Sequence, residues 1–423
     1  MHTKPATYTF SSYHKGVIAL LAVIQFTVVL DFMVMSPLGD MLMKSMRLTA
    51  SQFALAVSAY AFSAGVSGLL AAGFADKYDR KKLLIVFYTG FIIGTFLCAT
   101  ATSFPLLLFG RIVTGLFGGV LGAVSMAIVT DLFSFKQRGR VMGFVQMSFA
   151  VSQVAGIPVG LYLANLFNWH APFLMIVGFS IVTAVFISSF LKPITAHIQQ
   201  SKNQNALSHF QKTVSNQTYW LPFITTALLS IGGFMLMPFS TPFIINNVGI
   251  SQAQLPIIYV VMGICSMIAL PFIGKLSDKI GKMYTFILGS LLAAIMIIIY
   301  TNLIPVPLWH VIVISSLIFV GVMSRVIPAT ALMTAVPEVE DRGAFMSLNS
   351  SLQQIAGGIA SVIAGWVIIQ QPGGKLFHFN TLGYLCIGLM VACGFCMYVI
   401  NRRIQRKVRI NPEIKESKVE LVA

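Results

Sequence analysis

Asp31 is the only charged residue between Val17 and Gly39, in the run FTVVLDFMVMSP (26–37). A charge at the centre of a membrane helix costs roughly 2.5–3.5 kcal/mol on insertion scales. At ~1.5 Å rise per residue, Asp31 stands about 20 Å in from Val17. Such an acid is neutralised by a proton, paired with a cation, or turned to a wet cavity. Burial favours its neutral form and a nearby cation its charged form, so a small change tips the balance. That is the chemistry of a proton carrier; the bland alternative is a structural salt bridge. The partner the sequence offers is Arg111, in LLFGRIVTGLFGG (107–119), a cation that keeps its proton. All seven histidines fall at loops, ends or tails, which leaves Asp31 as the group inside an apolar run that titrates usefully. Asp31→Asn is expected to insert and fold, because it removes a costly charge, and to lose proton-driven accumulation.

A second buried cation, Arg325 in GVMSRVIPATALM (321–333), has no obvious buried acid in its own half. It either snorkels to the interface or lines a cavity and attracts an anionic group. Polar residues at helical spacing are candidates for the same cavity: Gln146 with Gln153, seven apart, Asn349 with Gln353, Ser350 with Gln354, and Tyr60 and Tyr259. Buried amides also tie helices together, and both readings stand. The five cysteines lie in apolar segments, and the single C-x-x-C of Cys393 and Cys396 has no second pair, so packing is the expected role. No metal or cofactor is expected. No G-x-x-x-x-G-K-[ST] phosphate loop is present, which argues against ATP-driven pumping.

The elements that must carry these residues follow from composition. The chain of 423 residues is 57% hydrophobic and 9% charged, against about 25% charged in soluble proteins. It is read as an integral membrane protein with the lipid bilayer as its surroundings. A helix needs ~20 apolar residues to cross the bilayer. Twelve runs qualify: 17–39, 52–72, 83–101, 104–130, 141–165, 171–191, 219–245, 254–273, 283–303, 308–335, 344–370 and 380–401. Of the 28 Lys and Arg, 23 fall on the side of both termini and three, Lys44, Arg47 and Lys375, on the other; Arg111 and Arg325 lie inside spans. The positive-inside rule puts both termini in the cytoplasm, in a plasma membrane, or the inner membrane of a Gram-negative cell. The net charge of +16 sits in short connections and not on a soluble domain, so nucleic acid is not an expected partner. The basic tail is read as attracted to anionic lipid headgroups.

The polar stretch 192–218 divides the chain into a six-helix bundle over 1–191 and another over 219–401, with a basic cytoplasmic tail over 402–423. The halves echo each other. AAGFADKYDRKK (71–82) follows span two and IGKLSDKIGK (273–282) follows span eight; QRGRVMG (137–143) opens span five and DRGAFMS (341–347) span eleven. A duplicated six-helix unit is common in secondary transporters. Within spans, Gly115-x-x-x-Gly119, Gly118-x-x-x-Gly122 and Gly156-x-x-x-Gly160 allow close helix approach, and Pro158 is a candidate kink or hinge.

These motifs, in order, resemble the major facilitator superfamily, in its twelve-helix drug:proton antiporter branch with the arabinose-efflux-like permeases. The family's loop after helix two reads roughly G-x-L-x-D-R-x-G-R. GKLSDKIGK fits it through Gly274, Asp278, Gly281 and Lys282, whereas AGFADKYDR keeps Asp76 and Arg80 but has Ala72 and Asp79 at the glycine positions. The fourth-helix Arg is Arg111, with Gly115 four residues on. The fifth-helix antiporter motif is AGIPVG, with Gly156, Pro158 and Gly160 and an inserted Ile157.

The resemblance implies an all-α membrane protein of two pseudo-symmetric six-helix bundles. It implies a proton-coupling role for Arg111 and a cytoplasmic gate at Asp76, Arg80 and Asp278, with the first-half loop against the start of helix eleven. The expected function is proton-coupled antiport exporting a small organic solute by alternating access, performed by a monomer. The rivals are a proton symporter or facilitator importing a nutrient and, from another class, a polytopic enzyme or receptor; an enzyme would need a second catalytic group near Asp31, and no span carries a histidine there.

Overall fold

The computed structural model describes residues 10–195, 198, 212–338 and 341–410; the side chains of residues 72, 73, 76, 135, 136 and 407–410 fall outside the described set. Most of the 192–218 linker and residues 411–423 of the tail therefore lie outside the description.

The first half comprises α1 (Ser12–Val34), the short α2 (Gly39–Ser45), α3 (Ala50–Phe74), α4 (Arg80–Ala99), α5 (Phe104–Leu132), α6 (Phe135–Val151), α7 (Ile157–Leu166) and α8 (His170–Phe190). The second comprises α9 (Gln217–Phe234), α10 (Met237–Asn246), α11 (Leu255–Ile280), α12 (Lys282–Thr301), α13 (Leu308–Thr334), α14 (Arg342–Val367) and α15 (Phe379–Ile410). With α1–α2, α6–α7 and α9–α10 each forming one span, twelve spans result, six to a bundle, as the hydropathy pattern predicts. Eleven are long and apolar enough to cross a membrane by length and composition. The other, α14, has 26 residues and the polar run from Ser347 to Gln354. One face of it is covered by protein: α14 lies antiparallel along α3, with Gly365 at Ala54, Gly358 at Phe62, Gly65 at Ile355 and Gly68 at Ser351.

Helix ends are written in the local sequence. Thr49 with Gln52 and Ser134 with Gln137 form capping boxes at α3 and α6, and Asn216 caps α9. Gly281 ends α11 at φ +93°, a conformation that favours glycine. Asp79, its first-half counterpart, keeps φ −57° and instead accepts bonds from the amides of Lys81 and Ile194, both 2.9 Å. The departure from the glycine pattern in AGFADKYDR is thus a different turn, built on a 3-10 segment Ala75–Lys77.

Two spans read as continuous are broken near the end of the bundle away from the termini, here the distal end. Span one breaks over 35–38, at Ser36-Pro37, and span seven at Met235–Leu236, before Pro238. These are equivalent spans of the two halves, and their distal pieces α2 and α10 pack on one another. Span eleven also ends earlier than 370. A hairpin of β1 (Ile369–Gln370) and β2 (Leu376–Phe377) follows it, turning through Gly373 and Gly374 at φ +99° and +90°.

Span five is interrupted by a π turn over Ser152–Gly156 ahead of Pro158. Proline has no N–H to give the preceding turn, and a widened turn accommodates it. Along this helix Ser148 donates to the Ala22 carbonyl (2.8 Å), Ser152 to that of Phe26 (3.2 Å), and Gly156 lies on Leu30. Each step of four on span five meets a step of four on α1. Small side chains let the backbones approach, and this register fixes the turn of α1 that carries Asp31.

Candidate functional site

Asp31 and Arg111 meet inside the first bundle, both fully buried, with Arg111 Nη1 2.8 Å from Asp31 Oδ2. Thr95 Oγ1 donates to Asp31 Oδ1 at 3.3 Å, and Nη1 also approaches the Asp31 carbonyl at 3.4 Å. The Arg111 guanidinium lies over the Tyr60 ring, 4.6 Å from its centroid, while Nε and Nη2 have no hydrogen-bond partner among the described residues. α5 presents Arg111 because its glycines seat it against α3: a Cβ at Gly115 would stand 2.4 Å from the Tyr60 carbonyl oxygen, and one at Gly119 2.4 Å from that of Ala64.

The pairing alters one expectation. Asp31→Asn does not simply remove a costly charge; it leaves Arg111 buried and uncompensated. Breaking a buried pair on one side costs about 3–5 kcal/mol.

A small cavity of about 10 Å³, room for about one water, lies between the bundles, one residue along from Asp31. Its walls are Phe32 and Ser36 of span one, Val57 and Ala61 of α3, Phe234, Met237 and Pro238 of span seven, and Gln354, Gly357 and Ser361 of α14. Among the described residues no charged side chain lines it. Phe32 links it to the ion pair, its ring centroid 5.3 Å from that of Tyr60.

Most of the cavity candidates read from spacing occupy other places. Tyr60 is buried between Phe32 and Arg111. Gln153 accepts from Ser266 (3.4 Å) and Asn349 from Thr226 (2.6 Å), each tying one span to another. Tyr259 shares a hydrogen bond with Thr241 (3.0 Å). Gln146 and Gln353 are exposed on the bare chain. Gln354, read from the sequence with Ser350 as a second polar face of span eleven, is the amide in the cavity wall. Arg325 neither snorkels nor lines this cavity: it is fully buried, 5.6 Å from the Phe286 centroid, with no hydrogen-bond partner among the described residues.

At the proximal end, Arg80 is nearly buried and pairs through Nε with Asp131 Oδ2 (3.0 Å), while Nη1 donates to the Ala75 carbonyl (2.9 Å). Asp131 was not singled out in the sequence; its signal is a lone acid at the end of span four. The Asp76 side chain lies outside the described ones. Asp278 is exposed and lies 4.0 Å from the nearly buried Lys282, at the outer limit of an ion pair. In the fifth-helix motif, Gly156 permits the contact with Leu30, whereas a Cβ at Gly160 would meet its neighbours at ordinary distance.

The sequence matches the profile of the Major Facilitator Superfamily over residues 21–360 and 222–422. The chain belongs to the Major Facilitator Superfamily. Its relatives within the family include YwfA of Bacillus subtilis (strain 168), an uncharacterised MFS-type transporter, 23% identical with 87% of each chain covered. The quinolone resistance protein NorA of Staphylococcus aureus (strain COL) is 22% identical over 91% of this chain and 96% of its own. Among solved structures, a bacterial homologue of the human lysosomal transporter Spinster, inward-facing and unoccupied, superposes with a TM-score of 0.76 at 16% identity, over 93% of this chain and 98% of that one. A D-xylose–proton symporter gives 0.72 at 15% identity, over 92% and 98%. Major facilitator neighbours thus share this fold while differing in what they carry. The chain is a major facilitator transporter.

Proposed function

We propose that this chain is a proton-coupled antiporter that exports a small, largely apolar organic molecule by alternating access. The observation that carries the reading is the fully buried Asp31–Arg111 pair one residue from an uncharged cavity between the two bundles. Cargo must widen the cavity to enter it, and in doing so presses on Phe32, which rests near Tyr60, the ring that supports Arg111. A proton arriving at Asp31 removes the charge that holds Arg111. Cargo and proton therefore compete through one stack of side chains, and each binds best when the other has left. The membrane potential adds ~2.3 kcal/mol per charge per 100 mV to the proton's drive.

The rocking units are the bundles at 1–191 and 219–401, joined by the cytoplasmic linker 192–218, with both termini in the cytoplasm of a plasma membrane. One copy contains both bundles and the whole cavity, which supports a monomer as the working unit. The cavity's apolar walls, relieved by Ser36, Ser361 and Gln354, favour a cargo with a few hydrogen-bonding groups over a polyhydroxylated sugar. Quinolones are a reasonable first probe, given the resemblance to NorA. Asp76 latches the proximal end, and Arg80, held by Asp131, braces that loop.

The test uses inside-out vesicles with an acidified lumen. Adding a transported probe should release lumenal protons, and Asp31→Asn should abolish the release. Protons that move in the same direction as the probe would make the chain a symporter and overturn the reading.

A further inference from the structure

Above the cavity, the distal end holds a polar cluster built from both halves. Asp40, in α2, is 1% exposed. Its Oδ1 accepts from Asn246 Nδ2 of α10 at 2.6 Å, and its Oδ2 accepts from Gln252 Nε2 at 2.8 Å and Lys44 Nζ at 2.9 Å. Lys44 closes the ring by donating to Asn246 Oδ1 at 3.0 Å. Two of the three groups that hold Asp40 thus belong to the other half of the molecule. Beneath it, Phe53 meets Phe239 edge-on at 5.9 Å, and Ser36, itself in the cavity wall, donates to the Met237 carbonyl.

The second half braces this cluster separately. Asn247 donates to the Leu376 carbonyl and accepts from its amide, both at 2.9 Å. Gly374 sits so close that a Cβ there would stand 2.7 Å from Asn246 Oδ1. The hairpin between α14 and α15 therefore packs against the Asn246 side chain, which also donates to the Pro242 carbonyl at 2.9 Å.

We infer that Asp40, Asn246 and Gln252 are positioning residues of the transport cycle, forming a lock that holds the distal mouth of the cavity shut and must break for the cavity to open there. The inference rests on the alternating-access reading only for its place in the cycle. Chain connectivity supports it: span one carries the proton candidate Asp31, the cavity wall residues Phe32 and Ser36, and, past its break, Asp40. The broken spans one and seven are equivalent elements of the two halves, and the lock joins their distal pieces. Hydrogen bonds to a charged group are stronger than those between neutral groups. Losing one across this interface therefore shifts the closed-to-open ratio roughly tenfold or more.

The experiment measures distances in the purified full chain by double electron–electron resonance, with the native cysteines replaced. One spin-label pair, Arg47→Cys with Ser251→Cys, spans the distal end at exposed positions; another, Lys82→Cys with Lys275→Cys, spans the proximal end. The parent should show one short distal distance. Asp40→Ala should add a longer population, about tenfold enriched over the parent, and Asn246→Ala should do the same. The double variant should go little further than Asp40→Ala, because that variant already removes both bonds that Asp40 accepts from the other half. Asn246→Ala carries the test by itself if Asp40→Ala does not fold. A distal distance unchanged in folded variants overturns the lock. Distal widening without proximal shortening keeps the lock and refutes rocking, so the two readings fail separately; neither measurement needs cargo or protons.

Discussion

Asp31 and Arg111 are the residues on which the chemistry turns, and each depends on the other's charge. Asp31→Asn should lower stability by about 3–5 kcal/mol, since it strands a buried guanidinium. Arg111→Gln added to it should recover much of that loss while leaving proton coupling absent. Thermal unfolding of the three proteins checks this, and a single variant as stable as the parent would show that the charges do not compensate each other. At Gly115 a methyl group would stand 2.0 Å from Ser63 Oγ, whereas at Gly122 the nearest atom is 3.9 Å away. Gly115→Ala should therefore cost about 1–3 kcal/mol by overpacking, and Gly122→Ala close to nothing, in the same measurement. The pairing of Asp31 with Arg111 was legible in the sequence because two charges in apolar runs need one another. Tyr60 beneath the guanidinium was named as a cavity residue; its seat between Phe32 and Arg111 depends on how closely the Gly115 turn lets α5 approach α3, which no spacing rule reports.

At the scale of elements, α14 shows what periodicity does and does not reveal. Its amides share faces at helical spacing, but α3 and α9 decide which face meets the cavity. Gln354→Ala should weaken cargo binding about tenfold, the value of one lost hydrogen bond near 1.4 kcal/mol, while Gln353→Ala leaves affinity unchanged. Isothermal titration with a transported probe reads both, and equal effects would contradict the assigned wall. Asn349→Ala should loosen α9 from α14 by roughly 0.6 kcal/mol, typical of an interhelical hydrogen bond in a membrane. The breaks in spans one and seven escaped the hydropathy pattern because the flanking residues stay apolar across them. Pro37 and Pro238 were the available signals, and proline is tolerated inside membrane helices often enough to be ambiguous.

For the whole molecule, twelve spans and two halves were readable because bilayer thickness and repeated motifs dictate them. Contacts between the halves were not: Asp40 and Asn246 lie 206 positions apart, and an acid at a span's end attracts no notice. The proximal end has its own pair, Arg80 with Asp131. Asp131→Ala should leave Arg80 nearly buried without that partner and reduce transport several-fold while cargo still binds. Transport assays beside binding on the same preparation separate the two, and lost binding would move this pair from the gate to the site.

Proton exchange at Asp31 is read directly by infrared difference spectroscopy as the carboxylic acid C=O band. Across a pH titration, with and without a transported probe, the parent should gain this band on acidification and lose it when the probe binds, and Asp31→Asn should show neither change. A parent spectrum in which Asp31 keeps one protonation state under all these conditions would contradict the account.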